Sequence, residues 1–428
     1  MPLTKEQIDI VKATVPILET GGEALTTHFY KSLFAEHPEV KVFFNQAHQA
    51  AGTQPRALAN SVLQYAKHIE DLSGLGDLPA QIIQKHVSLN IPAEGYPIVG
   101  TMLLKAIREV LGAEVATDAV IDAWKAAYFQ LADILIAAEE AVYAERAAQP
   151  GGWRGKRNFV VARKEVETAE VTSFYFKSED GKPILAFTAG QYLALSLQID
   201  GAEVRRNYSL SDAFNGEYYR ISVKREKGGV VSNFLHDQVH VGTVISIFPP
   251  AGNFVLTPAT KPLVLISGGI GLTPVMSMLN QTLNDPSTAS RPITYIHFTR
   301  NHKLHAFHSY IKGMAAKHSN LTYYFAYDEI AEGCPEQPHH VGRPTHDVMA
   351  KWLPSDRDVD VYFLGPKPFM GAMKYLLKQA GVPEKQAKFE FFGPAEALQE
   401  PSCPMAAMVA KSGTAAAAGA SCPFSGQH

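Results

Sequence analysis

The sequence predicts a multidomain protein of three unlike parts: an all-α N-terminal domain, an antiparallel β-barrel, and an α/β domain built on a parallel sheet. Three observations carry this. Residues 1–148 show helical periodicity and no convincing strand. The stretch 152–258 breaks into short β-branched and aromatic runs. Residues 259–396 alternate strand-like and helix-like segments. The length of 428 residues accommodates such a division, since domains run to about 100–200 residues each.

In the first part, Leu25, Phe29 and Leu33 recur at helical spacing with Tyr30 and Phe34 beside them. Ile121, Trp124, Tyr128, Leu131, Leu135 and Val142 form a second stripe. Pro150, Gly151 and Gly152 mark the boundary. The runs "NFVVARKEV", "VTSFYFKS", "QYLALSLQI", "RRNYSLS", "YYRISVKRE" and "VISIFPP" follow, separated by Gly, Asp and Asn turns, and suggest a small antiparallel barrel. Next, "PLVLISGG" runs into the helical "PVMSMLNQTL", and "ITYIHFTR", "LTYYFAY", "DVYFLGP" and "KFEFFGP" supply further strands. The remainder, 397–428, is rich in Ala, Ser, Gly and Pro and is expected to be a flexible tail.

A composition of 46% apolar and 19% charged residues with net charge −3 is that of an ordinary soluble protein and argues against a nucleic-acid footprint. The N-terminus lacks the marks of a secretory signal, and apolar runs fall short of a membrane span. Three cysteines make no disulfide framework. A cytoplasmic monomer without stable membrane insertion is the expectation.

Several motifs carry chemistry. In "SGGIGLTP", an apolar strand ends in glycines before a helix. Such a turn lets backbone approach a pyrophosphate, although it also serves tight strand–helix packing. In "RRNYSLSD" an arginine suits a phosphate, and a tyrosine and a serine suit a flavin ring; taken singly, they read equally as a solvated strand edge. "GGVVSN" offers amides at Gly228, Gly229, Val231 and Ser232. His86 in "QKHVSLN" is a possible metal ligand or a solvated histidine. Glu139 either interrupts the buried stripe of its helix or lies on a wet edge, with Ala138 on the stripe.

The ordered set of Arg-x-Tyr-Ser, "GGVVS", G-G-x-G-x-T-P and "EFFGP" resembles the ferredoxin–NADP reductase family over residues 152–396. That resemblance implies FAD binding by Tyr192, Arg206, Asn207, Tyr208, Ser209, Val231 and Ser232, with Phe392 near the isoalloxazine. It also implies NAD(P)H binding by Gly268, Gly269, Ile270, Gly271, Leu272, Thr273 and Pro274. With "HFYKSLFAEHPEVKVFFN" and "QKH" upstream, residues 1–396 are similar to the flavohaemoglobins, a globin joined to such a reductase.

The resemblance implies haem b ligated by the metal ligand His86. Tyr96 and Glu139 stand behind that histidine, and Tyr30, Phe44, Gln54 and Leu58 lie on the distal side. The implied activity is nitric oxide dioxygenation: NAD(P)H reduces FAD, FAD reduces haem, and nitric oxide and O₂ give nitrate. A haem-based O₂ or NO sensor and an alkyl hydroperoxide reductase are the rival readings. Pro55 is expected to bias Gln54 away from helical geometry. Leu364 stands where the family commonly has cysteine, and Asn207 where relatives often carry glutamine. Arg300 is a candidate for reading a 2′-phosphate. Each cysteine precedes a proline, at Cys334, Cys403 and Cys422; the pattern reads either as weak free-haem binding or as turns in a small-residue tail.

Overall fold

The computed structural model describes residues 2–45, 49 and 52–392. The expected tail and its Cys403 and Cys422 lie outside the described residues. So does the end of the third region beyond Phe392.

The helical region contains α1 (Lys5–Ala13), α2 (Val15–Glu36), α3 (Thr53–Lys67), α4 (Leu78–Leu89), α5 (Gly95–Leu111) and α6 (Asp118–Ala148). Its main core gathers Leu25, Phe29, Tyr30 and Leu33 of α2 with Met102, Leu103, Ala106 and Ile107 of α5 and Trp124 of α6. Helix α4 stops at Asn90, which adopts the left-handed conformation at φ 52°. Asparagine tolerates that geometry, and the Ile91 amide then donates to the His86 carbonyl at 3.1 Å.

Two local expectations are corrected. On α6 the buried face runs through Trp124, Ala127, Ala132, Leu135, Glu139, Tyr143 and Arg146, whereas Val142 is only half-buried. The face drifts because 3.6 residues per turn does not match the spacing of the apolar side chains alone. Gln54 is helical despite Pro55. Helix α3 begins at Thr53, so the proline sits in the first turn, where its missing N–H is not needed.

Six strands follow: β1 (Arg157–Val166), β2 (Val171–Ser178), β3 (Tyr192–Ile199), β4 (Ala202–Ser209), β5 (Tyr219–Lys224) and β6 (Val244–Ile247), with α7 (Val230–Gln238) before β6. They form an antiparallel sheet in the order β4-β3-β6-β1-β2-β5. A bridge between Leu210 and Ile221 brings its two ends together. Alternate residues of β3 (Leu193, Leu195, Leu197) point inward with Phe159, Phe174 and Phe176.

The last region has β7 (Leu263–Gly268), α8 (Leu272–Asn284), β8 (Ile293–Thr299), α9 (His308–Lys317), β9 (Leu321–Tyr327), β10 (His340–Val341), α10 (His346–Trp352), β11 (Asp360–Leu364), α11 (Lys367–Gln379) and β12 (Ala387–Phe389). Its sheet is parallel, ordered β10-β9-β8-β7-β11-β12. Leu263 and Leu265 pack on α8 and α9, while Val264 and Ile266 pack on α10 and α11. Burial on both faces explains why β7 reads as a continuous apolar run. Chain order reverses between β7 and β11, the crevice where ligands bind in such sheets. The two-residue β10 was not legible in the sequence. Among the described residues, no helix is long and apolar enough to cross a membrane.

Arg291 is almost fully buried at the base of this sheet. It donates to Asp360 at 2.6 Å and to the Lys261 carbonyl at 2.6 Å. Asp360→Ala leaves that guanidinium buried without its anion and is expected to cost about 3 kcal/mol. The check is denaturant unfolding followed by Trp352 fluorescence, with the other tryptophans replaced by phenylalanine.

Candidate functional site

Three constellations assemble. The first lies where α4, α5 and α6 meet. His86 Nδ1 lies 2.7 Å from Glu139 Oε1 and 2.9 Å from the Tyr96 hydroxyl, and that hydroxyl donates to Glu139 Oε1 at 2.6 Å. Glu139 is 2% exposed. The wet-edge alternative therefore fails, and Glu139 occupies the buried face. Burial and the bond to Glu139 push the Tyr96 hydroxyl far above the usual tyrosine value, so it stays a donor. With Tyr96 donating and Glu139 accepting, the Nδ1 position must carry the histidine proton. Among the described residues nothing bonds Nε2, and the ring is one-third exposed at 33%. An imidazole held at Nδ1 by these partners leaves Nε2 to a metal ion. Tyr128, which the sequence assigned only to the stripe, donates to the Tyr96 carbonyl at 2.7 Å.

Tyr30 anchors a second group. It is 5% exposed, with ring centroids 5.7 Å from Phe34 and 5.5 Å from Phe44. Leu58 is half-buried against the same core. Burial raises the Tyr30 hydroxyl above its ordinary value, and the neighbouring Gln54 side chain acts in the opposite direction.

The third constellation is built on β4, an edge strand. Its register pairs Tyr192 with Ser209, Leu193 with Tyr208, Ala194 with Asn207 and Leu195 with Arg206. Strand alternation divides the motif between two faces. Arg205 and Asn207 reach the helical region, at the Leu89 carbonyl and the Ser88 hydroxyl, whereas Tyr208 packs against the barrel core. Among the described residues, the Asn207 Oδ1 is buried without a partner, and Arg206 donates only to its neighbour's carbonyl, at 2.7 Å. These unmet polar groups on a sheet edge fit an absent polar ligand.

Val231 and Ser232 lie in the first turn of α7, where backbone amides have no partner within the helix. Tyr192 is buried beneath Lys85, whose Nζ stands 5.4 Å from the ring centroid. Glu390 neighbours both and was missed in the sequence; burial lifts its carboxyl to about 7, against the pull of Lys85. Phe392 is 50% exposed at the end of the described chain.

The glycine turn joins β7 to α8. A Cβ on Gly271 would meet the Leu364 carbonyl oxygen at 2.5 Å and the Gly365 nitrogen at 2.7 Å. Only glycine allows this approach, and it opens the first-turn amides of α8 at the sheet's crevice. Gly268, Gly269, Ile270, Leu272, Thr273 and Pro274 complete the turn. Leu364 is buried beneath it. Arg300 is paired with Glu170.

The fold and these sites define a class: a globin domain followed by an FAD-binding and NAD-binding oxidoreductase module. Family models agree, matching Globin over residues 27–135, Oxidoreductase FAD-binding domain over 158–256 and Oxidoreductase NAD-binding domain over 265–374. The chain belongs to the flavohemoprotein family. It is 57% identical over 397 residues to a flavohemoprotein of Pseudomonas putida, covering 93% of this chain and 100% of the relative. To one of Pseudomonas aeruginosa it is 56% identical, over 92% and 99%. Flavohemoglobin from Malassezia yamatoensis, solved with bound FAD and heme, superposes with a TM-score of 0.80 at 25% identity, covering 91% of this chain and all (100%) of that one. The FAD/NAD-binding domain of a Vibrio cholerae nitric oxide dioxygenase gives a TM-score of 0.51 at 33% identity, over 56% of this chain and 100% of that one. The cofactors of the family's three domains are haem, FAD and a nicotinamide dinucleotide.

Gly271→Ala is expected to displace the Leu364–Gly365 backbone, at about 1–3 kcal/mol. NADH-driven dye reduction should show a raised KM for NADH with full FAD content.

Proposed function

We propose that the protein is an NAD(P)H-dependent nitric oxide dioxygenase that converts nitric oxide and O₂ to nitrate. The observation that carries this reading is the contact between Glu139 and His86 Nδ1, in a chain that also holds a flavin reductase module. A carboxylate on Nδ1–H makes the ring a stronger donor through Nε2, which suits oxygen activation better than storage. The description of the Vibrio cholerae neighbour as a nitric oxide dioxygenase supports it. A sensor would need an output module, and the oxidoreductase half favours turnover instead.

Haem, when bound, would supply a one-electron centre, and FAD would link it to the two-electron chemistry of a nicotinamide. In this reading His86 Nε2 ligates the iron, while Tyr96 and Glu139 fix its tautomer and ring angle. Tyr30 aims a protonated hydroxyl into the distal pocket. Gln54 orients that hydroxyl, and Phe44 and Leu58 exclude water. Arg206 takes the flavin phosphate. Tyr192, Asn207, Tyr208 and Ser209 would hold the ring system, with Phe392 near it. The Val231 and Ser232 amides meet the pyrophosphate. Gly268 to Pro274 receive the nicotinamide nucleotide. Residues 1–148, 152–258 and 259–396 are the corresponding haem, FAD and nucleotide domains.

Purified holoenzyme given NADH, O₂ and nitric oxide should produce nitrate in step with nitric oxide loss. Consumption of alkyl hydroperoxide in preference to nitric oxide would refute the assignment. Tyr30→Phe is expected to remove about 3 kcal/mol of stabilisation of bound oxygen, on the order of 100-fold in O₂ dissociation, read by stopped-flow. Glu139→Gln should retain haem but lower the ferrous iron–histidine Raman stretch; an unmoved band would remove Glu139 from this role.

A further inference from the structure

Arg205 lies just outside Arg-x-Tyr-Ser, which begins at Arg206. Its surroundings are unusual for a strand-edge arginine. The side chain is only 10% exposed. Its guanidinium lies between two aromatic rings, 4.8 Å from the centroid of Phe43 and 4.8 Å from that of Phe248. Phe43 belongs to the helical region and Phe248 follows β6 of the barrel. One guanidinium nitrogen, Nη1, donates to the carbonyl of Leu89, the last residue of α4. That carbonyl is one of those a helix end leaves unpaired, and a cation there complements the helix dipole. Nε donates to Glu203 at 2.7 Å.

Glu203 is itself fixed. Lys156 donates to it at 2.6 Å and Ser196 at 2.9 Å. Although burial works the other way, these bonds and that of Arg205 pull its carboxyl down to about 2. The arginine is therefore oriented from its own sheet and presents a rigid fork to the helical region.

What it touches there is specific. Leu89 ends the helix that carries His86. Phe43 adjoins Phe44, which packs on Tyr30 at 5.5 Å. Arg205 thus meets both the histidine side and the tyrosine side of the helical pocket. From the opposite end it is continuous with the strand bearing Asn207, Tyr208 and Ser209.

We infer that Arg205 is a positioning residue for electron transfer, a strut that fixes the flavin strand against both walls of the haem pocket. The inference rests on the haem and flavin placements of the proposed function. It does not depend on nitric oxide being the substrate.

The test uses full-length holoenzyme carrying Arg205→Met, which keeps the apolar stem and removes the fork. Anaerobic NADH is mixed under carbon monoxide, and flavin and haem reduction are followed separately. Flavin reduction and cofactor content should match the parent protein. Haem reduction should slow several-fold, because electron transfer weakens steeply with the spacing of the two cofactors. Arg205→Lys should rescue it poorly, since a point charge does not reproduce the fork. Hydrogen exchange should rise in residues 38–45 and 86–91 together.

Unchanged haem reduction, or equal slowing of flavin and haem, would overturn the inference. Where Arg205→Met fails to fold, Phe43→Ala leaves β4 intact and should slow the same step; parent-like haem reduction there overturns it too. If the protein makes no nitrate yet haem reduction still depends on Arg205, the dioxygenase reading falls and this one stands.

Discussion

A buried carboxylate must be matched by donors. Glu139 is placed on the inner face of α6 at 2% exposure, where an unpaired charge costs several kcal/mol. Its partners come from two other helices, His86 on α4 and Tyr96 on α5. The constraint therefore fixes the mutual rotation of three helices as well as one side chain. It also fixes chemistry. Once Glu139 and Tyr96 occupy Nδ1, the imidazole has one face left to offer, through Nε2. Tyr128 supports the arrangement from behind by bonding the Tyr96 carbonyl at 2.7 Å.

The same helix end ties the pocket to the rest of the molecule. Two residues past His86, Ser88 accepts from Asn207 at 3.1 Å, and Leu89 accepts from Arg205. Gln84, on the preceding turn, accepts from the Gly252 amide at 3.0 Å and from Arg146 at 2.7 Å. Helix α4 is thus held by polar contacts over its C-terminal half, which suits an interface that must keep a fixed spacing between two cofactors without fusing the helical and barrel cores. The apolar core of the helical region stays separate from that of the barrel, whereas Val171, Ala189 and Phe254 of the barrel region pack into the core of the parallel sheet.

Much of this was legible in the sequence because it depends on local patterns. The β-branched runs became β1 to β6, and the doubly apolar "LVLI" became the central strand of a parallel sheet. The glycine turn lies where strand order reverses. The string proposed to bind flavin was visible as well, but its facing was not. Period-two alternation separates Asn207 from Tyr208 on any strand, yet nothing in the string says which face meets a neighbouring domain. For the same reason Arg205, Ser88 and Glu390 went unnoticed: their partners lie far away in sequence. The expected effect of Pro55 on Gln54 failed at one helix boundary, since a proline breaks a helix interior but is tolerated in a first turn.

The sequence by itself determined the three-part architecture and the family, through periodicity and ordered motifs that no tertiary contact can alter. Tertiary structure alone decided between Glu139 and Ala138 on the buried face, and set Tyr30 beside Gln54. It also turned Arg205 from an unremarked strand residue into a bridge between regions. The physical reason is common to all three. Side-chain spacing is a property of one segment, whereas the partner that makes a buried charge or donor affordable is supplied by another.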